Sequence, residues 1–268
     1  MRVRQYSLRP QRDDQMEITP DVYLIDRTRG SNVYLLADHR LVLIDTGMPG
    51  NAVPILRFIK DLGRDPKELE CIIITHGHID HIGSLRELQT LTGAKILTHR
   101  DEVIPAGNNK YVFSLRIDGS RGTFFRFLTR LGLLKPSHAD VLVSGGELLP
   151  YLGGLRIIHT PGHTPGSICL LIEERKVLFV GDAIINNRDR LSRPLPFGSD
   201  RHLAEQSLRK LAQVDFDTCC FGHGPPLSSA KERVSQLAMG YPRTPILWRI
   251  TRNGRRLVRF GMRLWWRS

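Results

Sequence analysis

The apolar run Cys71-Ile72-Ile73-Ile74 passes without a turn signal into Thr75-His76-Gly77-His78-Ile79-Asp80-His81. A continuous apolar run of this length is the pattern of a strand buried on both faces, with layers packed above and below it. Side chains alternate along a strand, so His76 and His78 at its mouth can point to one side. Asp80 and His81 fall where the next helical pattern begins and can turn toward a second point nearby. Four candidate ligands within six residues would be costly to desolvate without a cation. Neutral imidazole and carboxylate suit a borderline divalent ion. A surface histidine cluster is the alternative reading, and the buried strand before it argues against that.

The rest of the chain is organised around similar strands. VYLID (22–26), SNVYLLA (31–37) and RLVLIDTG (40–47) are rich in β-branched and aromatic residues with turn residues between them. Ile55, Phe58, Ile59 and Leu62 share one face of a predicted helix ending at Gly63, and Leu85, Leu88 and Leu91 one of a helix ending at Gly93. AKILT (94–98) reads as a strand. Residues 100–139 lose this regularity, except that TFFRFLTRLGLL (123–134) predicts a helix. Strands resume at 155–160, 167–174 and 176–183, and helices are predicted at Leu203–Leu211 and Ser228–Met239 around the segment DTCCFGHG (217–224). Two halves are alike. Each ends a strand on a small acidic turn, LVLIDTG and then VLFVGDA, and then enters a helix. That order predicts an α/β chain with two sheets face to face and helices outside.

Composition bounds the setting. A length of 268 residues fits one large domain or one domain with an appendage. No apolar run reaches the roughly 18–20 residues that span a bilayer, and Met1 to Asp14 lacks the apolar stretch of a signal peptide. A cytoplasmic protein is the expectation. Cys71, Cys169, Cys219 and Cys220 form no C-x-x-C pair and are expected as reduced, buried thiols. Of the net charge of +12, eight charges come from arginines in residues 241–268, which hold no Asp or Glu and all three tryptophans. This shift places a boundary near Met239–Pro242, with residues 1–240 as the main domain. Drawn as a helix, the tail puts Arg249, Arg252, Arg256, Arg259, Arg263 and Arg267 on one face. Attachment to an anionic membrane surface, at the inner membrane face, is the leading reading. Packing on the domain or on a second copy in a homo-oligomer, and nucleic-acid binding, are the alternatives.

Three more candidates stand singly where strands are predicted to end: His163 in TPGHTPGS, Asp182 in VGDA and His223 in GHG. They add the ligands needed to complete two sites. In order, LIDTG (43–47), THGHIDHIG (75–83), TPGHTPGS (160–167), VGDA (180–183) and GHG (222–224) resemble the metallo-β-lactamase superfamily over roughly residues 20–239. The resemblance implies a four-layer αββα sandwich with a two-metal site at one edge. It implies that His76, His78 and His163 hold one ion, that Asp80, His81 and His223 hold the other, and that Asp182 bridges them. Asp45 would support ligands without binding metal. Zinc is the implied ion, with iron or manganese also suited to a set lacking thiolate.

The implied reaction is hydrolysis by a hydroxide shared between two metals, with Asp80 shuttling the leaving-group proton and no Ser or Cys nucleophile. Departures from subfamilies narrow it. Zinc β-lactamases commonly carry Cys where this chain has Asp182. The stretch after Asp182 lacks both the Gly-Cys-Gly that usually follows in glyoxalase II and the Tyr of acyl-homoserine lactonases. The expectation is a small-molecule ester, thioester or lactone, with a phosphodiesterase or nuclease on the same metals as the alternative. Residues 100–139 are the expected substrate wall, and Phe113, Phe124, Phe125, Phe127 and Leu131 favour a hydrophobic acyl group.

Overall fold

The structure is a computed structural model that describes residues 16–106, 111–113, 137–188, 190–193 and 200–240. The helix expected at 123–134, the side chains Phe124, Phe125, Phe127 and Leu131, and the tail 241–268 lie outside the described residues.

Two sheets form the centre. The first has seven strands: β1 (Met16–Thr19), β2 (Val22–Leu24), β3 (Tyr34–Ala37), β4 (Leu41–Ile44), β5 (Leu69–Ile73), β6 (Lys95–His99) and, after an excursion, β10 (Val141–Val143). The first four strands pair antiparallel, while β4, β5, β6 and β10 run parallel. Parallel neighbours need crossovers, and α1 (Ala52–Asp61) and α3 (Leu85–Thr92) supply them around the single turn α2 (Ile79–Ile82). The second sheet has the order β11 (Leu148–Leu149), β12 (Leu155–His159), β13 (Ile168–Ile172), β14 (Val177–Phe179), β17 (Thr218–Cys220). Two further helices, α4 (Arg201–Leu211) and α5 (Lys231–Met239), follow it.

The period of two sorts the strand residues into layers. Val42, Ile44, Cys71 and Ile73 face inward and meet Ile157, Leu170, Ile172 and Phe179 of the second sheet. Tyr34 and Phe179 meet edge to face at 5.1 Å across this interface, an arrangement worth about 0.5–1.5 kcal/mol beyond burial. Leu41, Leu43, Ile72 and Ile74 face outward against Ile55, Phe58 and Ile59 of α1 and Leu85 and Leu88 of α3. On the far side Cys169, Leu171, Leu178 and Cys219 pack on Leu208, Leu211 and Val234 of α4 and α5. The order of layers is αββα, as expected. All four cysteines are free and buried. No helix among the described residues is long and apolar enough to cross a membrane.

Several features differ from the sequence reading. Several strands stop short of the apolar runs that mark them: β4 covers Leu41–Ile44, β13 Ile168–Ile172 and β14 Val177–Phe179, whereas β5 begins earlier, at Leu69. Residues 100–139 are not wholly irregular: β7 (Val103–Pro105), β8 (Tyr111–Phe113) and β9 (His138–Ala139) make a small antiparallel sheet. Phe113, expected on a substrate wall, is buried in the core with Val103 and Ala139. The chain after Asp182 does not enter a helix directly. A hairpin of β15 (Ile185–Asn187) and β16 (Arg190–Ser192) comes first.

Candidate metal centre

Each of the five loops that carry the candidate residues leaves the C-terminal end of a strand. Asp45 follows β4, His76 to His81 follow β5, His163 follows β12, Asp182 follows β14, and His223 follows β17. Ligand sites in sheets with parallel strands collect at such ends. The structure brings all seven expected ligands to one place. Nδ1 of His78 lies 3.0 Å from Nε2 of His76 and 3.0 Å from Nε2 of His163. Beside this triad, Nε2 of His223 lies 3.2 Å from Oδ2 of Asp80, and His81 completes a second group with them. Asp182 stands between the two. Its Oδ2 is 3.5 Å from Nε2 of both His163 and His223, and its Oδ1 is 3.4 Å from Nε2 of His81.

Asp45 lies behind His81, outside the ligand groups. It adopts a left-handed backbone at φ +59°, a region open to Asp but rare for residues with bulkier side chains. That turn aims its buried carboxylate back at the β5 mouth. Oδ1 accepts from the Thr75 backbone N–H at 2.8 Å, and Oδ2 accepts from the Thr75 hydroxyl at 2.8 Å and from Nδ1 of His81 at 2.7 Å. A carboxylate only accepts, so Nδ1 of His81 carries a proton, and it is Nε2 that is turned toward Asp182, with its lone pair free whenever the ring is neutral. Gly222 is fixed by close approach: a Cβ there would stand 2.3 Å from Oδ1 of Asp182.

The donor set fits a cation. Nε2 of His81 and Oδ1 of Asp182, both turned into the cluster, are buried with no hydrogen-bond partner, and an unmet buried polar atom costs about 1–3 kcal/mol. Tetrahedral zinc with Zn–N near 2.0–2.1 Å sets neighbouring ligand atoms about 3.3 Å apart, close to the 3.0–3.5 Å found. A third cluster, His99, Asp101 and His159, also gathers ligand atoms. Its two rings stack at 4.0 Å and 13°, so their in-plane lone pairs run side by side and do not converge. His159 is held by its Nε2–H to the Pro165 carbonyl, a structural contact.

Electrostatics divide the two groups. Burial pushes the His76, His78 and His163 imidazoles down, His163 to about 4, so all three are neutral at pH 7. Burial acts the same way on His81 and His223, but carboxylates outweigh it. Asp45 and Asp182 hold His81 well above the usual imidazole range, and Asp182 and Asp80 raise His223 to about 9. Against the cost of burial, the surrounding imidazoles hold the Asp182 carboxyl well below the usual range, and His223 and His81 lower that of Asp80. The metal-free protein at pH 7 therefore carries protons on His81 and His223. Their ion pairs support its fold fully below an ordinary histidine pKa of about 6.5; that support is lost as pH rises through the folded values, about 9 for His223. An ion entering the second group must displace those protons. Calorimetric zinc titration of metal-free protein at pH 7, in buffers of different ionisation heat, should show no proton release at the first group. Release at the second should approach one proton from each of these two histidines. Equal release at both would contradict this division.

Comparison with known proteins agrees with the fold and the motif order. The family model described as Metallo-beta-lactamase superfamily matches residues 26–223. Probable metallo-hydrolase YflN of Bacillus subtilis (strain 168) is 30% identical over 225 residues, covering 76% of this chain and 84% of that protein. YobT of the same strain is 33% identical over 217 residues, covering 76% and 88%. A crystal structure of metallo-beta-lactamase family protein TTHA1429 from Thermus thermophilus superposes with a TM-score of 0.62 at 21% identity, covering 83% of this chain and 80% of that one. The chain belongs to the metallo-β-lactamase superfamily.

Proposed function

We propose that this chain is a metal-dependent hydrolase with two ions, acting on an ester, thioester or lactone of a small or acyl substrate. The observation that carries the reading is the Asp182 carboxylate set between two ligand groups, 3.5 Å from an imidazole of each. In this reading His76, His78 and His163 hold one ion, Asp80, His81 and His223 hold the other, and Asp182 reaches both. Zinc suits the set, and iron or manganese would also be accepted by imidazole and carboxylate. When bound, a metal pair supplies Lewis acidity and makes water acidic enough to ionise near neutral pH.

The chain's own groups have separable tasks. Asp182, with its side chain 8% exposed, is walled in by imidazoles and serves to hold the two groups together. Asp80 is 26% exposed and is the carboxylate able to pass a proton to a leaving group at the mouth. No cysteine competes as nucleophile, since all four are buried and burial pushes each thiol up, Cys71 and Cys169 to about 12. Asp182, standing where zinc β-lactamases commonly carry Cys, favours the Asp-bridged branch that includes glyoxalase II.

A substrate panel tests the proposal. Purified protein should hydrolyse p-nitrophenyl esters, thioesters or lactones with a higher kcat/KM than bis-p-nitrophenyl phosphate, lose that activity to a chelator, and regain it with zinc. Preference for the phosphodiester would favour the phosphodiesterase or nuclease alternative. Hydrolysis of every substrate unaffected by chelator would overturn the metal reading.

A further inference from the structure

The ligand loops come from both sheets, so something must hold loops of distant sequence in register. Two buried or half-buried polar side chains do so, one for each ligand group. Glu102 follows β6, within the single 3-10 turn Arg100–Glu102, and is buried. Its Oε2 accepts from the backbone N–H of Gly77, the residue between His76 and His78, at 2.7 Å. Its Oε1 accepts from the Gly166 N–H at 2.8 Å and the Thr164 hydroxyl at 2.5 Å, on the loop of His163. All three partners donate, which matches a carboxylate with lone pairs and no proton to offer. Glu102 thus ties the His76–His78 turn to the His163 loop.

Asn32, between β2 and β3, has the same relation to the other group. Its backbone N–H donates to the Gly222 carbonyl at 2.7 Å, and its side-chain amide donates to the carbonyls of Phe221 at 2.9 Å and Gly224 at 2.7 Å. These carbonyls surround His223. The preceding residue, Ser31, donates from its N–H and hydroxyl to the Asp80 carbonyl at 3.1 and 2.7 Å. The pair Ser31-Asn32 therefore joins Asp80 to the His223 loop. Among the described residues, no bond of this kind runs from Glu102 to the second group or from Asn32 to the first.

We infer that Glu102 and Asn32 are positioning residues that each hold one ligand group independently, so that each governs retention of a different ion. The statement about ions rests on the two-metal reading; the statement about loops does not. Loss of an outer support for a metal ligand commonly weakens binding by about 10- to 100-fold.

Amide hydrogen exchange on the metal-free full chain tests the loop statement. Glu102→Gln should speed exchange at Gly77 and Gly166, whose N–H groups it caps, and leave residues 221–224 as in the wild type. Asn32→Ala should speed exchange at 221–224 and leave Gly77 and Gly166 unchanged. Competition of zinc-loaded protein with a chelator tests the ion statement, with His163→Ala and His223→Ala as references. Glu102→Gln should weaken by about 10- to 100-fold the ion that His163→Ala loses, and Asn32→Ala the ion that His223→Ala loses. Spread of either substitution's effect to both loops, or to neither, would overturn the inference. A wild type that retains one ion, with the exchange pattern still divided, would instead remove the two-metal reading and leave the loop supports standing. If Glu102→Gln does not fold, Thr164→Val removes one donor from the opposite side and should speed exchange at Gly166 alone among these loops.

Discussion

Replacing Asp182 with Ala should lower kcat/KM by on the order of 1,000-fold, about 4 kcal/mol of transition-state stabilisation, and deplete bound metal in the same preparation. The size follows from position. His163→Ala removes a group from one ligand set and leaves the other intact, whereas Asp182 has an oxygen 3.5 Å from His163 and His223 and another 3.4 Å from His81. It is also a carboxylate that offsets the buried positive charge of His81 and His223. Without it, His81 and His223 each lose one of the two carboxylates that raise them, Asp45 and Asp80 remaining, so the metal-free variant should give up fewer protons per ion bound. Asp182→Asn, which keeps the volume and loses the charge, separates shape from charge. Activity and metal content measured on one sample decide the matter: full activity with full metal content in Asp182→Ala would overturn the ligand assignment.

That these histidines and aspartates gather at one place could be read from sequence because the chemistry admits few side chains. His and Asp at close spacing after a strand buried on both faces have few inexpensive alternatives, and Ile72 and Ile73 marked that strand by apolarity alone. The layers were legible for the same reason: Leu41 and Leu43 against Val42 and Ile44 alternate between two apolar faces. Glu102 and Asn32 carried no such mark. Glu102 looks like any acidic residue after a strand, and its partners are backbone N–H groups and a hydroxyl 25 to 64 residues away. The carbonyls that Asn32 reaches are about 190 residues away. Main-chain donors and acceptors are present at nearly every residue, so only the fold says which are met. The hairpin at 185–192 was missed because Asn186, Asn187, Arg190 and Ser192 give polar strands with no alternation to detect. Phe113 was misplaced because an apolar residue in an irregular segment reads the same whether it faces a substrate or a core.

The second large effect is expected from Asp45→Asn, a change of one atom outside the ligand set. The Thr75 N–H donates to Oδ1 of Asp45, so the asparagine must keep its carbonyl oxygen there. Its NH2 group is then forced to the Oδ2 position, against Nδ1 of His81 and the Thr75 hydroxyl. A donor now faces Nδ1, which favours the tautomer carrying its proton on Nε2, the atom turned toward Asp182. An imidazole cannot ligate through a protonated nitrogen. Exchange of the same kind in a hydrogen-bonded Asp–His pair of serine proteases costs about 10,000-fold in kcat through the wrong tautomer, while loss of outer support for a metal ligand usually costs about 10- to 100-fold. Because in the proposed two-ion site only the second ion would depend on His81, a loss between these limits is expected, about 100- to 1,000-fold in kcat/KM. An ion bound, as proposed, by His76, His78 and His163 should remain. Two-dimensional nitrogen NMR of the histidine side chains reads the tautomer directly, independent of activity. Retention of the Nδ1–H form of His81 in a folded Asp45→Asn variant would defeat the explanation, even if activity fell.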